Sequence, residues 1–144
     1  MGLDTTHGAW HGPYGAFMAW RERIAQLAGF PPLELMEGFY HPEGGLGVFW
    51  GLKPVGEGYL FHRLLGKLPI KWDLFEKHPL CALLSHSDCD GYLTASECGR
   101  IAAALEKLLP LMDGESDIKY RQKTESFIAG CRLAHSCKER LEFR

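Results

Sequence analysis

No stretch of this 144-residue chain approaches the roughly 18 consecutive apolar residues that a membrane-crossing helix requires. The opening MGLDTTHG also lacks the charged start and apolar run of a secretory leader. These two absences lead us to expect a soluble, cytoplasmic protein without a membrane partner. Gly2 and Thr6 match the short myristoylation pattern, but no basic cluster stands nearby to supply the second anchor that stable attachment needs. Charge of one sign is scarce as well. Sixteen basic and eighteen acidic residues leave a net charge of -2 without a block of either sign, so no nucleic-acid partner is expected. The five cysteines at 81, 89, 98, 131 and 137 contain no C-x-x-C pair and are odd in number, which favours reduced thiols acting mostly as small core hydrophobes. G-x-S-x-G, the Walker-type phosphate loop and G-x-G-x-x-G behind a strand are missing too, so elbow-serine acyl transfer and phosphate-loop nucleotide binding lack their parts.

What is present is enough for a core. At 46% hydrophobic residues, the length suits one domain spanning 1–144. From Gly15 to Ala28, Phe17, Trp20, Ile24 and Leu27 recur at helical spacing, and Gly29 followed by Pro31 and Pro32 supplies the stop. Between Pro31 and Lys71, glycines and prolines alternate with aromatics, which predicts loops, one helical turn at Leu33 to Glu37 and a small hairpin of Leu46 to Leu52 with Gly58 to His62. Pro79 is placed to open a short helix. Thr94 and Glu97 form a T-x-x-E capping box, after which Cys98, Ile101, Ala102, Leu105, Leu108 and Leu109 follow one helical face as far as Pro110. A last helix is expected from about Ile118 to His135, with Tyr120, Thr124, Phe127, Ile128 and Cys131 on one face, and the tail ERLEF as an edge strand. The fold class that follows is α+β and mostly helical: about four helices with a small hairpin.

Chemistry concentrates in HSDCDGYLTASE, residues 86–97. With Gly91 as the obligatory sixth residue, this stretch resembles an EF-hand loop: Asp88 and Asp90 fall at positions 3 and 5, the Tyr92 carbonyl at 7 and Glu97 at 12. His86 occupies the first position, where an aspartate belongs, and imidazole is a poor ligand for a hard, oxygen-seeking ion. The candidate metal set is therefore His86, Asp88, Asp90, Tyr92 and Glu97. Its cation would be calcium first, with manganese or zinc as alternatives that suit an imidazole better. A purely structural corner competes with both, since Asp88 and Asp90 favour Asx-turns, Gly91 tolerates a left-handed turn, and the capping box needs no ion.

The same residues resemble the H-x-D-x-D-G motif of the Asp-His-His phosphoesterases. That resemblance implies a metal-dependent hydrolase in which His86, Asp88 and Asp90 hold manganese at the end of a strand. The chain has no Asp-His-His triplet, and the capping box points to a corner before a helix. Cys89, between two aspartates, is a poor candidate for a nucleophilic thiolate. In DTTHGAWHGPY, His7, Trp10, His11 and Tyr14 form a candidate ligand-binding loop, with the aromatic rings as stacking surfaces; the alternative is that Trp10 and Tyr14 plug one end of the core. DTTHGAWHG, PLCALLSHSDCDG and KTESFIAG together resemble small uncharacterised proteins of phages, prophages and some bacterial genomes. That resemblance implies an intracellular accessory protein that binds a host protein or sequesters a small ligand. A non-enzymatic binding protein is the expected function.

Overall fold

The computed structural model describes residues 2–39, 69–87 and 89–144. A capped and stopped helix comes first. Strands β1 (Gly2–Asp4) and β2 (His11–Pro13) pair antiparallel, and α1 (Tyr14–Ala28) leaves directly from β2. Gly29 ends α1 in the left-handed region at φ 86, its N–H turned back onto the Ala25 and Gln26 carbonyls, as the sequence predicts. The helical turn expected near residue 33 is a 3-10 turn at Leu33–Leu35. A second 3-10 turn at Trp72–Phe75 precedes the short α2 (Cys81–Leu84), and β3 (Tyr92–Leu93) follows.

The best-signalled helix is α3 (Ala95–Leu108). Thr94 Oγ1 accepts from the Glu97 N–H at 3.1 Å, and Glu97 Oε1 accepts from the Thr94 N–H at 2.9 Å, so the capping box is complete. Cys98, Ile101, Ala102, Leu105 and Leu108 are buried along one stripe; Leu109 is only half-buried, because a 3-10 turn at Leu109–Leu111 rotates the chain out of register. A further 3-10 turn at Glu115–Asp117 leads into α4 (Ile118–Cys137), which packs against α3 over the most extensive helix interface among the described residues. Thr124, Phe127, Ile128 and Cys131 face that core, and Tyr120 sits half-exposed at its edge. ERLEF does provide a strand, β4 (Leu141–Glu142), paired antiparallel with β3 so that Leu93 meets Leu141.

Described residues thus form a mostly helical α+β domain, with four α-helices and two small antiparallel sheets. The hairpin predicted for 46–52 and 58–62 lies outside the described residues. The two that are described join the chain ends instead. Asp4 and Arg144 exchange both backbone hydrogen bonds, at 3.2 and 2.8 Å, and Thr5 bridges Phe143, which ties β1 to the tail that carries β4. Short strands of two or three residues need such non-local pairing to persist. Among the cysteines, Cys98 and Cys131 are buried, Cys81 is half-buried, and Cys89 and Cys137 are exposed, so two of the five act as core side chains.

Arg21 on α1 is the buried cation of this core, at 1% exposure. Its guanidinium lies over the Phe17 ring at 4.6 Å and donates to the Leu83, Leu84 and His86 carbonyls at the end of α2. Those are the orphan acceptors that a helix C-terminus leaves, so Arg21 fixes where the 86–97 stretch begins. Two residues further along α1, Arg23 makes a forked pair with Asp117, at 2.9 and 2.8 Å, and pins α1 to the start of α4.

Candidate functional site

Geometry in the 86–97 loop answers the sequence reading residue by residue. Gly91 takes φ +90, the sharp turn that the sixth position requires. The His86 ring, however, lies across the interior of the curl. Its Nε2 faces the Tyr92 carbonyl at 3.1 Å, its Nδ1 faces the Ser87 carbonyl at 2.8 Å, and the ring stacks on Phe143 with centroids 4.1 Å apart. Both ring nitrogens therefore face carbonyl oxygens of the loop itself. Glu97, the expected twelfth ligand, spends Oε1 on the helix cap. Asp90 is exposed, and Asp88 is outside the described residues. Two of the predicted oxygens, Tyr92 O and Glu97 Oε1, are thus already engaged by the protein's own donors. The chain enters the loop from α2 and Ser85, so the motif follows a helical turn where the phosphoesterase pattern has a strand. Among the described residues no group of three or more His, Cys, Asp or Glu side chains is arranged to hold a metal ion.

Elsewhere on the surface, a cleft of about 320 Å³ opens between α1 and α4, lined by Trp10, Ala16, Ala19 and Trp20 and, from the far side, Ser116, Lys119, Tyr120 and Lys123. Local sequence explains the walls. Ala16 and Ala19 are the small residues of α1 beside Trp20, while Lys123 stands one turn beyond both Lys119 and Tyr120 on α4, which brings the three to one side of that helix. Trp10 is placed by its backbone, whose N–H donates to Thr5 Oγ1 at 2.9 Å and whose carbonyl accepts from Thr5 N–H at 3.1 Å. Its ring packs on Phe17 and Trp20 at 5.0 and 5.3 Å.

Three described tryptophans allow a comparison. Trp20 Nε1–H donates to Thr124 Oγ1 at 2.8 Å, and Trp72 Nε1–H donates to the Glu37 carbonyl at 2.9 Å. Trp10 Nε1–H is buried and has no acceptor among the described residues. A buried donor in that state costs about 1–3 kcal/mol. Beside it, the Lys123 ammonium stands 4.6 Å from the Trp10 ring centroid and donates to the His11 carbonyl at 3.0 Å. A Cβ added to Gly12 would lie 3.6 Å from both Trp10 Nε1 and Lys123 Nζ, which locates the two donors around one small space.

Of the loop residues singled out in the sequence, Trp10 alone lines this cleft. The core-plug and pocket readings of Trp10 are not exclusive, since the ring is 2% exposed and still forms a wall. His7 points toward the C-terminal segment, Nε2 to Glu139 Oε1 at 3.1 Å, and adopts φ 63. The His11 ring is exposed and lies 3.5 Å from Asp4, with only its carbonyl reaching Lys123. Tyr14 is half-buried against the core. The sequence reading put Tyr120 on the core face of the last helix and did not single out Lys119 or Lys123, the charged residues on either side of it. The available signal was their one-turn spacing opposite an aromatic helix. Compared with known proteins, the chain matches no family model, no curated protein and no solved structure.

Proposed function

We propose that the protein is a non-enzymatic binding protein that takes up a small anionic ligand with an apolar, planar body in the cleft between α1 and α4. One observation carries this reading: the buried Trp10 indole N–H lacks an acceptor while a lysine ammonium stands beside it. A ligand oxygen placed there accepts from the indole and neutralises part of the charge of Lys123 and Lys119. Trp20, Tyr120, Ala16 and Ala19 supply the apolar contact. Such sites are typically concave and mostly apolar, with a few convergent polar groups. Sequestration without turnover fits the accessory role that the resemblance to phage and prophage proteins implies. The test is calorimetry against a panel of aromatic carboxylates running from benzoate to indole-3-acetate. Saturable binding that weakens about tenfold in Lys119→Ala or Lys123→Met supports the reading; equal affinity in those variants, or no heat at millimolar ligand, overturns it.

A second reading keeps a divalent cation in the 86–97 loop, calcium before manganese or zinc. It rests on the left-handed turn at Gly91 and the exposed Asp90 side chain. It requires the His86 ring to leave the Tyr92 carbonyl. Membrane attachment gains no support from the helices, since no described helix is long and apolar enough to cross a membrane.

A further inference from the structure

A groove of about 550 Å³ runs between α3, the C-terminal end of α1 and the 78–80 segment, from the exposed face of α3 to Leu108 at the edge of its buried stripe. Leu27, Ala28 and Leu80 form one wall, and Ala103 with Ala104 forms the other. Two alanines in succession hollow out the outer face of α3, which is why a depression exists there at all. Arg100 and Lys107 stand at its two ends. Seven residues separate them, so they share a face about 10 Å apart along the axis.

Four of the seven described arginines hold a carboxylate. Arg23 pairs with Asp117, Arg121 with Glu125, Arg132 with Glu106 and Arg144 with Glu142. Arg100 and Lys107 have neither an ion pair nor a side-chain hydrogen bond among the described residues, and both are exposed. Glu106, the acidic neighbour on α3, is committed to Arg132 at 2.7 Å. The remaining titratable wall is His78, whose Nδ1 accepts from the Leu80 N–H at 3.1 Å and whose ring stands edge-on to Phe30 at 4.7 Å. Burial holds its imidazole below the ordinary histidine range, so the ring is a neutral wall that offers Nε2–H as a donor. The groove is therefore apolar in its floor and positive only at its ends.

We infer that this groove docks an acidic amphipathic helix of a partner protein, with its apolar stripe against Leu80, Ala103 and Ala104 and carboxylates two turns apart on Arg100 and Lys107. Helix-in-groove recognition uses anchors spaced by one and two turns, which is the spacing of the floor and rim. Charge complementarity selects the partner, because end charges of one sign repel basic helices and steer acidic ones. Two cations are too few to track a phosphate backbone, and the protein carries a net charge of -2.

The probe is a fluorescein-labelled helical peptide of about four turns, with a leucine stripe flanked by glutamates two turns apart. The control is a peptide of equal composition with the glutamates moved to the opposite face. Anisotropy is measured with the full chain at low salt. Saturable binding of the probe is expected. It should weaken about tenfold in Arg100→Glu/Lys107→Glu, fall similarly in Ala103→Phe, which fills the floor from an exposed position, and decline with added salt. Unchanged melting midpoints of these surface variants establish that they remain folded. Equal binding of the control peptide, equal binding by the charge-reversed variant, or no binding at millimolar probe overturns the inference. Sedimentation with phosphatidylserine vesicles, lost in the same variants while the probe fails to bind, assigns the face to lipid and overturns it as well.

Discussion

Trp10 and Trp20 are neighbouring core indoles that differ chiefly in the partner of the ring N–H, and Trp→Phe at each position, which keeps an aromatic face for Lys123 at position 10, compares the two. Both substitutions shrink a buried ring of the same aromatic cluster, so the cost of lost volume largely cancels in the comparison. At Trp20 the change also deletes a 2.8 Å hydrogen bond to Thr124, a loss of about 1 kcal/mol. At Trp10 it removes a buried donor with no acceptor and so relieves about 1–3 kcal/mol. Trp20→Phe is therefore expected to cost roughly 2–4 kcal/mol more than Trp10→Phe. For a chain of this size the two melting midpoints should differ by roughly 5–15 °C. Urea unfolding of the two variants and the wild type, with equal slopes to show that the unfolded states match, measures the difference. Equal destabilisation would mean that the Trp10 N–H has a partner in solution. The cleft would then lose the donor on which the proposed function rests.

Three other consequences follow from separate parts of the structure. The Arg23 guanidinium beside Asp117 holds that carboxyl below the usual aspartate range. Its contribution to stability is therefore present above the unfolded value near about pH 4 and is lost as pH falls below it. Asp117→Asn should cost about 2 kcal/mol at pH 7 and flatten the acid limb of the stability profile; an unchanged acid limb would refute the pairing. Gly130→Ala places a Cβ 2.4 Å from Ala9 Cβ and 2.6 Å from its Cα, so it should destabilise by about 1–3 kcal/mol despite its better helix propensity. Gly99→Ala meets the exposed His135 ring, which can swing aside at the loss of its 2.9 Å hydrogen bond to the Ala95 carbonyl, and should cost about 1 kcal/mol or less; similar costs at both glycines would show that the α4–Ala9 contact is looser than described. His86→Asp supplies the carboxylate that the first position lacks and frees the Tyr92 carbonyl, so millimolar calcium should raise the melting midpoint of this variant more than that of the wild type. An equal response, or none in either protein, would refute the assignment of His86 as the group that displaces the cation.

Local signals made the helical frame legible. Gly29 after α1, the Thr94–Glu97 box and the Cys98-to-Leu108 stripe are decided within a turn or two, so they can be read from neighbouring residues. The sheets could not be read in that way. β1 and β2 hold three residues each, and their link to the tail, through Asp4 with Arg144 and Thr5 with Phe143, joins positions far apart in sequence. The 86–97 stretch shows what spacing leaves out. It follows the EF-hand pattern at every named position but the first, and spacing alone cannot register that the His86 ring folds inward onto Tyr92 O and Phe143. The cleft was half legible: Trp10 stood out as an aromatic in a glycine-rich loop, whereas Lys119 and Lys123 acquire meaning only when α4 is laid against α1.

The central claim is most directly tested at the Trp10 indole N–H itself. In ¹⁵N-labelled protein, titration with indole-3-acetate is predicted to move the Trp10 Nε1–H resonance downfield to saturation, leaving the hydrogen-bonded indoles of Trp20 and Trp72 nearly in place. A Trp10 resonance that stays fixed at millimolar aromatic carboxylate, or three indole signals that drift together without saturating, would contradict it.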